Sequence, residues 1–180
     1  METVCSDFGD WRRVLVLGGA RSGKSAFAEA LAQATGLRKV YLATAEAGDG
    51  EMAERIARHR ADRGGDWLTV EEPRDIVSSL RIVDRPDRVI LIDCLTLWLT
   101  NVMLGGDDVE AAGAALVAAL PGLQARVAMV SNEVGLGLVP DTPLGRRFRD
   151  AQGRLNARVA RACDAAAFVA AGLPLVLKRP

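Results

Sequence analysis

The sequence predicts an α/β domain, a mostly parallel sheet flanked by helices, and three observations carry that prediction. Short apolar or β-branched runs alternate with longer amphipathic segments along nearly all of the 180 residues, the pattern of strands covered by helices. The first such run, "VLVLG" from Val14, passes straight into a glycine-rich turn and then into a helix. A later run, "RVILID" from Arg88, has four consecutive apolar residues closed by Asp93, as a strand buried on both faces should.

Each element follows in order. Residues 1–12 carry no pattern and read as a frayed end, so residues 1–13 form an N-terminal extension and 14–180 a single domain, as the length suggests. Strands are expected at "VLVLG", "KVYLA" from Lys39, "WLTVE" from Trp67, "RVILID" and "RVAMVS" from Arg126. A C-terminal strand pair, "AAFVAA" and "LPLVLK", turns around Gly172. Helical periodicity covers 23–34, 51–63, 73–81, 107–119 and 143–163. In the last, Leu144, Phe148, Leu155, Val159 and Ala162 form an apolar stripe for core packing, with arginines at 146, 147, 149, 154, 158 and 161 around it.

Composition excludes several classes. Lysine plus arginine equals aspartate plus glutamate at 23 each, which argues against a nucleic-acid or membrane binder. The three cysteines, Cys5, Cys94 and Cys163, are far apart and include no CxxC pair, so neither a zinc clamp nor a disulfide framework is indicated. No apolar run is long enough to insert into a membrane and the N-terminus lacks a signal-peptide core; a cytoplasmic protein is expected.

Chemistry enters at "GGARSGKS". Gly18, four residues, then Gly23, Lys24 and Ser25 match the P-loop spacing G-x-x-x-x-G-K-S/T. The expected fold is therefore a P-loop NTPase (RecA-like) domain. Backbone N–H groups of Gly18, Gly19, Ala20, Arg21, Ser22 and Gly23 can surround phosphate oxygens at the positive end of the following helix. Lys24 would reach the β- and γ-phosphates and Ser25 would ligate Mg²⁺. A P-loop site also needs a carboxylate at a neighbouring strand end, and Asp93 is the candidate; its alternative role is to cap a helix starting at "CLTLW".

The only histidine is His59, between two arginines in the expected helix 51–63. At about 100° per residue it shares a stripe with Met52, Ile56 and Arg63, so it faces either the packed core or a site. Flanking arginines depress its pKa by like-charge repulsion, which keeps the imidazole neutral and nucleophilic near neutral pH. A histidine beside a nucleotide can take a covalent phosphorus–nitrogen adduct. Spacing alone leaves packing and catalysis both open.

From Val14 to about Lys178 the chain resembles the bifunctional adenosylcobinamide kinase/adenosylcobinamide-phosphate guanylyltransferases of cobalamin biosynthesis. The resemblance rests on "GGARSGKS", "YLATAEAGDGEMAERIARHRADRGGDWLTVEEP", "LIDCLTLWLTN", "SNEVGLGLVPDTPLGRRFRDAQGRLNARVA" and "VAAGLPLVLK", in this order. It implies phosphorylation of adenosylcobinamide by ATP or GTP, then transfer of GMP from GTP to adenosylcobinamide phosphate through a guanylyl-histidine, here His59, with release of pyrophosphate. It implies nucleotide contacts at Ala43, Thr44, Ala45, Arg60, Ala61, Asp62, Arg63, Glu71 and Asp93 besides the P-loop, Mg²⁺ as cofactor, and a homo-oligomer, with a trimer the expected form. Thr44 suits a donor or acceptor at a strand end; Ala43 and Ala45 can offer only backbone. Asn132 and Glu133, in the long loop "SNEVGLGLVPDTP", are expected to shape the corrinoid or subunit-contact side. Gly48 and Gly50 could hinge the helix that carries His59. The competing readings are a monofunctional P-loop kinase of another small molecule with a structural His59, a GTP-binding switch, which lacks an NKxD-type motif here, and a nucleic-acid motor, which the charge balance disfavours.

Overall fold

The computed structural model describes residues 8–46 and 65–180. The expected helix at 51–63, with His59, Arg60, Ala61, Asp62 and Arg63, and the hinge glycines Gly48 and Gly50 lie outside the described residues.

The structure bears out the α/β class. Its strands are β1 (Arg13–Gly18), β2 (Arg38–Ala43), β3 (Trp67–Glu71), β4 (Arg88–Asp93), β5 (Arg126–Asn132), β6 (Ala165–Ala170) and β7 (Leu173–Lys178). They form one seven-stranded sheet in the order β3-β2-β4-β5-β1-β6-β7. Every neighbouring pair is parallel except β6 with β7, the C-terminal pair the sequence foretold. Its turn is Ala171–Gly172, both at positive φ (51° and 78°), a geometry that suits a two-residue hairpin and explains the glycine.

The described helices are α1 (Lys24–Ala34), α2 (Ile76–Val83), α3 (Leu95–Leu104), α4 (Val109–Ala119) and α5 (Pro143–Ala162). Asp75, Asp108 and Thr142 cap α2, α4 and α5 by accepting from backbone N–H groups of the first turn. Side chains alternate along the strands and build a core on each face. On one face α2 to α5 pack on Leu15, Leu17, Ile90, Ile92, Val127 and Met129. On the other, α1 packs on Val14, Val16, Val89, Leu91, Ala128 and Val130.

Three expectations need correction. The helix α3, foreseen at "CLTLW" only as something for Asp93 to cap, is absent from the five periodic stretches, because "LTLWLTNVML" is apolar almost all round and buries Leu95, Thr96, Trp98, Leu99 and Val102, leaving no polar face to reveal a period. Residues 8–12 are not frayed: Phe8 and Trp11 are buried in the α1-side core, Phe8 meeting Phe27 edge-on at 5.6 Å between centroids. Within α5, Leu144 is exposed, and the buried face instead includes Gln152 and Asn156.

Candidate functional site

The P-loop joins β1 to α1 at the carboxyl edge of the sheet. Gly18 is required by space: a Cβ there would lie 2.5 Å from Ser22 Oγ and 2.6 Å from the Val169 carbonyl oxygen. Gly23 is required by conformation, at φ 95°, and a Cβ on it would come within 3.3 Å of the Gly172 Cα. Arg21 also holds a positive φ of 55°, unusual for a side-chain-bearing residue and typical of a turn whose N–H groups converge. The turn is fixed from outside as well, since Glu133 N–H donates to the Gly18 carbonyl at 3.1 Å and Gly172 N–H to the Ser22 carbonyl at 2.9 Å.

At the start of α1 no side chain caps the helix and its first turn has no acidic residue, so its N–H groups and dipole are available to an anion. Ser22 Oγ is buried without a hydrogen-bond partner among the described residues. Lys24 reaches back over the loop, Nζ donating to the Gly19 carbonyl at 3.2 Å. Ser25 follows it on the first turn of α1. A cradle with an orphaned hydroxyl, convergent N–H groups and a lysine folded across it suits a polyphosphate.

Asp93 ends β4. The capping alternative is not seen: α3 begins after Cys94 with no side-chain cap, and Asp93 Oδ2 accepts from the Tyr41 hydroxyl at 3.1 Å. Two residues along the pleat from Leu91, Asp93 falls on the α1 face, the same side as the P-loop helix.

Thr44 lies just beyond β2 and is fully buried. Its hydroxyl donates to the Cys94 carbonyl and accepts from the Cys94 N–H, both at 2.8 Å; its N–H donates to the Asp93 carbonyl at 3.3 Å; its carbonyl accepts from Asn101 Nδ2 at 2.8 Å. Thr44 therefore locks the backbone at Asp93–Cys94 in place, and its hydroxyl is engaged within the protein rather than offered to a ligand. Ala43 and Ala45 flank it at the same edge, half-buried. Ala43 is level with Glu71 on β3 and with Asp93 on β4. Glu71 is exposed at the strand end; its neighbour Glu72 is engaged in a turn, Oε1 accepting from Arg74 N–H and Asp75 N–H at 2.8 Å each. From Gly18 to Glu71 is four strand spacings, about 19 Å, so both can meet one nucleotide only if it lies along the carboxyl edge.

The sequence did not single out the polar cluster behind β5. Gln152 Nε2 donates to Ser131 Oγ and to Asn156 Oδ1, both at 2.9 Å, and Ser131 Oγ donates to Asn156 Oδ1 at 2.7 Å. Asn156 Nδ2 continues to the Asn132 carbonyl at 3.0 Å. The available signal was a pair of amides four residues apart on the apolar stripe of α5. Asn132, expected on a corrinoid or subunit side, ends β5 level with Gly18. Glu133 Oε1 accepts from Gly135 N–H at 2.8 Å.

Burial, then the charge of Asp93, pushes the Cys94 thiol up from its ordinary value. Burial, then Asp164, pushes Cys163 up to about 12. Neither is a ready nucleophile. A cleft of about 610 Å³ opens between the start of α4 and α5, where Glu110, Arg147, Asp150 and Arg154 line it; it contains none of the expected site residues. Among the described residues no group of three or more His, Cys, Asp or Glu is placed to hold a metal, and no helix is long and apolar enough to cross a membrane.

Comparison with known proteins places this geometry in context. The family model described as "Cobinamide kinase / cobinamide phosphate guanyltransferase" matches residues 14–177. The chain is 50% identical over 168 residues to the bifunctional adenosylcobalamin biosynthesis protein CobP of Pseudomonas aeruginosa, covering 92% of this chain and 97% of that protein. It is 39% identical over 180 residues to the bifunctional adenosylcobalamin biosynthesis protein CobU of Salmonella typhimurium, covering 92% and 99%. Among solved structures, an ATPase from the type III secretion system of pathogenic bacteria aligns with a TM-score of 0.52 at 11% identity, over 92% of this chain and 56% of that one, a likeness of fold alone.

Proposed function

The chain belongs to the cobinamide kinase / cobinamide phosphate guanyltransferase family, and we propose that it performs both of those reactions on its one P-loop. It is a bifunctional transferase of adenosylcobalamin biosynthesis. In the first reaction the γ-phosphoryl group of ATP or GTP passes to the adenosylcobinamide hydroxyl. In the second, GMP passes from GTP to adenosylcobinamide phosphate and pyrophosphate leaves. The observation that carries this reading is the P-loop cradle, in which Gly18 has no room for a side chain between Ser22 and Val169 and Ser22 keeps an unpaired buried hydroxyl.

The P-loop N–H groups and Lys24 hold the β- and γ-phosphates, so each reaction is chiefly positioning and charge stabilisation. The Ser25 hydroxyl and the Asp93 carboxylate would hold Mg²⁺; they are hard oxygen donors, few enough that phosphate and water complete the shell. Bound there, Mg²⁺ neutralises charge on the phosphates. Ala43 and Ala45, through backbone groups, and Glu71 take the nucleoside end, with Thr44 keeping that edge in register; Arg60, Ala61, Asp62 and Arg63 contribute further nucleotide contacts.

His59, neutral, attacks the α-phosphorus of GTP: a phosphorus–nitrogen bond forms and the bond to pyrophosphate breaks. An oxygen of adenosylcobinamide phosphate then attacks the same phosphorus and the phosphorus–nitrogen bond breaks.

Protein incubated with GTP labelled at the α- or γ-phosphate and then denatured tests the reading. The α-label alone should stay attached, be acid-labile, and be absent from His59→Ala, which should keep at least part of its kinase activity. Retention of neither label, or equal loss of both activities in His59→Ala, would sink the division of labour.

A further inference from the structure

The strand β3 lies at one edge of the sheet and has only β2 for a neighbour. Their ladder reaches as far as the Glu72 N–H, which donates to the Ala43 carbonyl at 2.9 Å. There it stops, because Pro73 has no N–H to offer. Past that point the end of β2 presents the Thr44 carbonyl and the end of β3 the Pro73 carbonyl, two acceptors that cannot bond each other.

Asn101, on α3, bridges them. Its Nδ2 donates to the Thr44 carbonyl at 2.8 Å and to the Pro73 carbonyl at 3.2 Å, one hydrogen to each. Both partners are acceptors, so the amide must turn its nitrogen towards them, and a carboxylate could not take its place. One helical turn earlier on α3, Trp98 Nε1 donates to the Arg74 carbonyl at 2.7 Å. Just past the helix, Asp107 pairs with the Arg74 guanidinium. All three side chains hold the segment after β3, and Asn101 alone of the three also reaches the end of β2.

The bridge stands where the nucleotide residues are. Ala43 and Ala45 flank Thr44, and Glu71 lies two residues before Pro73, level with Ala43. An edge strand held by a single ladder opens first at its end, so the spacing of Glu71 from the two alanines depends on this one amide.

We propose that Asn101 is a positioning residue for the nucleotide: on the reading that Ala43, Ala45 and Glu71 take the nucleoside end, its amide holds the ends of β2 and β3 at a spacing that lets one bound nucleoside meet both. It acts through these two segments and not on the phosphates. An edge ordered in advance does not have to be ordered on binding, which strengthens the hold on the nucleoside.

Calorimetric titration of GTP and of inorganic tripolyphosphate, each with Mg²⁺, into wild type, Asn101→Ala and Asn101→Asp separates the two ends of the ligand, since tripolyphosphate reports the P-loop alone. Asn101→Ala should bind GTP about tenfold more weakly, as the loss of two hydrogen bonds between neutral groups implies, with tripolyphosphate within about twofold of wild type. Asn101→Asp keeps the shape but sets an oxygen against both carbonyls, and should lose more GTP affinity than the alanine variant, again with tripolyphosphate nearly unchanged. Asn101 is half-buried and alanine favours a helix, so Asn101→Ala should fold, with urea unfolding as the check. A residue that merely stabilised the fold would weaken both ligands alike or neither, and either result in the folded variants would overturn the assignment. Wild type that holds GTP no more tightly than tripolyphosphate would strike the nucleoside reading and the assignment with it; a preference for GTP that both variants keep would strike the assignment alone.

Discussion

Replacing Thr44 by valine removes one oxygen and keeps the shape. The hydroxyl makes two hydrogen bonds of 2.8 Å, one to each backbone group of Cys94, and Thr44 is fully buried with Cys94 nearly so. Valine therefore leaves the buried Cys94 N–H without its partner, while the Cys94 carbonyl keeps the Trp98 N–H at 3.1 Å. One such orphaned group costs about 1–3 kcal/mol, so Thr44→Val should destabilise the protein by about that much, within what a domain of ordinary stability can lose and still fold. Urea unfolding should show a lower midpoint at an unchanged slope. Thr44→Ser, which keeps the oxygen, should stay within about 1.5 kcal/mol of wild type, the cost of one buried methyl group. Because the same contacts place Asp93, both transfer activities of Thr44→Val should fall together below its melting temperature. A Thr44→Val midpoint equal to that of wild type, or a serine variant as unstable as the valine one, would refute the reasoning.

Two further substitutions test the cradle and the core. Gly18→Ala puts a methyl 2.6 Å from the fixed Val169 carbonyl oxygen; it should cost about 1–3 kcal/mol of stability by overpacking and distort the cradle, so that calorimetric titration finds triphosphate affinity sharply reduced even where the variant is fully folded. Cys163, raised from 9.0 to about 12 by burial and then by Asp164, keeps its proton longer folded than unfolded, so its contribution is whole below about pH 9 and is lost as pH rises towards 12, at up to about 1.4 kcal/mol per pH unit. Urea midpoints followed from neutral into alkaline pH should fall less steeply in Cys163→Ala than in wild type.

Much of this was legible in the residues because the signals were local. The run from Val14 through Ser25 spells strand, turn and helix in one stretch, and glycines at 18 and 23 stand where space and a positive φ demand them. Asp93 was legible as an acid closing an apolar strand. What escaped was set by partners far along the chain. Strand order, with β5 inserted between β4 and β1, leaves no local trace. Thr44 entered as a nucleotide contact through the resemblance, and its strand-end hydroxyl suited that role; only the proximity of Cys94 shows where the hydroxyl's hydrogen bonds within the protein go. Phe8 and Trp11 lacked any periodic neighbour and looked frayed, yet each found a pocket beside α1. Gln152 and Asn156 interrupted an apolar stripe, a visible irregularity whose reason, Ser131, lies on another element. Arg60, Ala61, Asp62, Arg63 and His59 lie outside the described residues, and the roles proposed for them come from the sequence resemblance alone.

The cradle's two outside hydrogen bonds come from Glu133, after β5, and from Gly172, in the β6–β7 turn. The phosphate motif is thus contiguous as text and discontinuous as an object. A peptide spanning β1 and α1 would contain every letter of the motif and lack both clasps, so the anion site can be finished only after long loops have closed. Nucleotide binding in this protein is then a late event of folding, and the ability to hold a triphosphate reports that the far end of the sheet has docked.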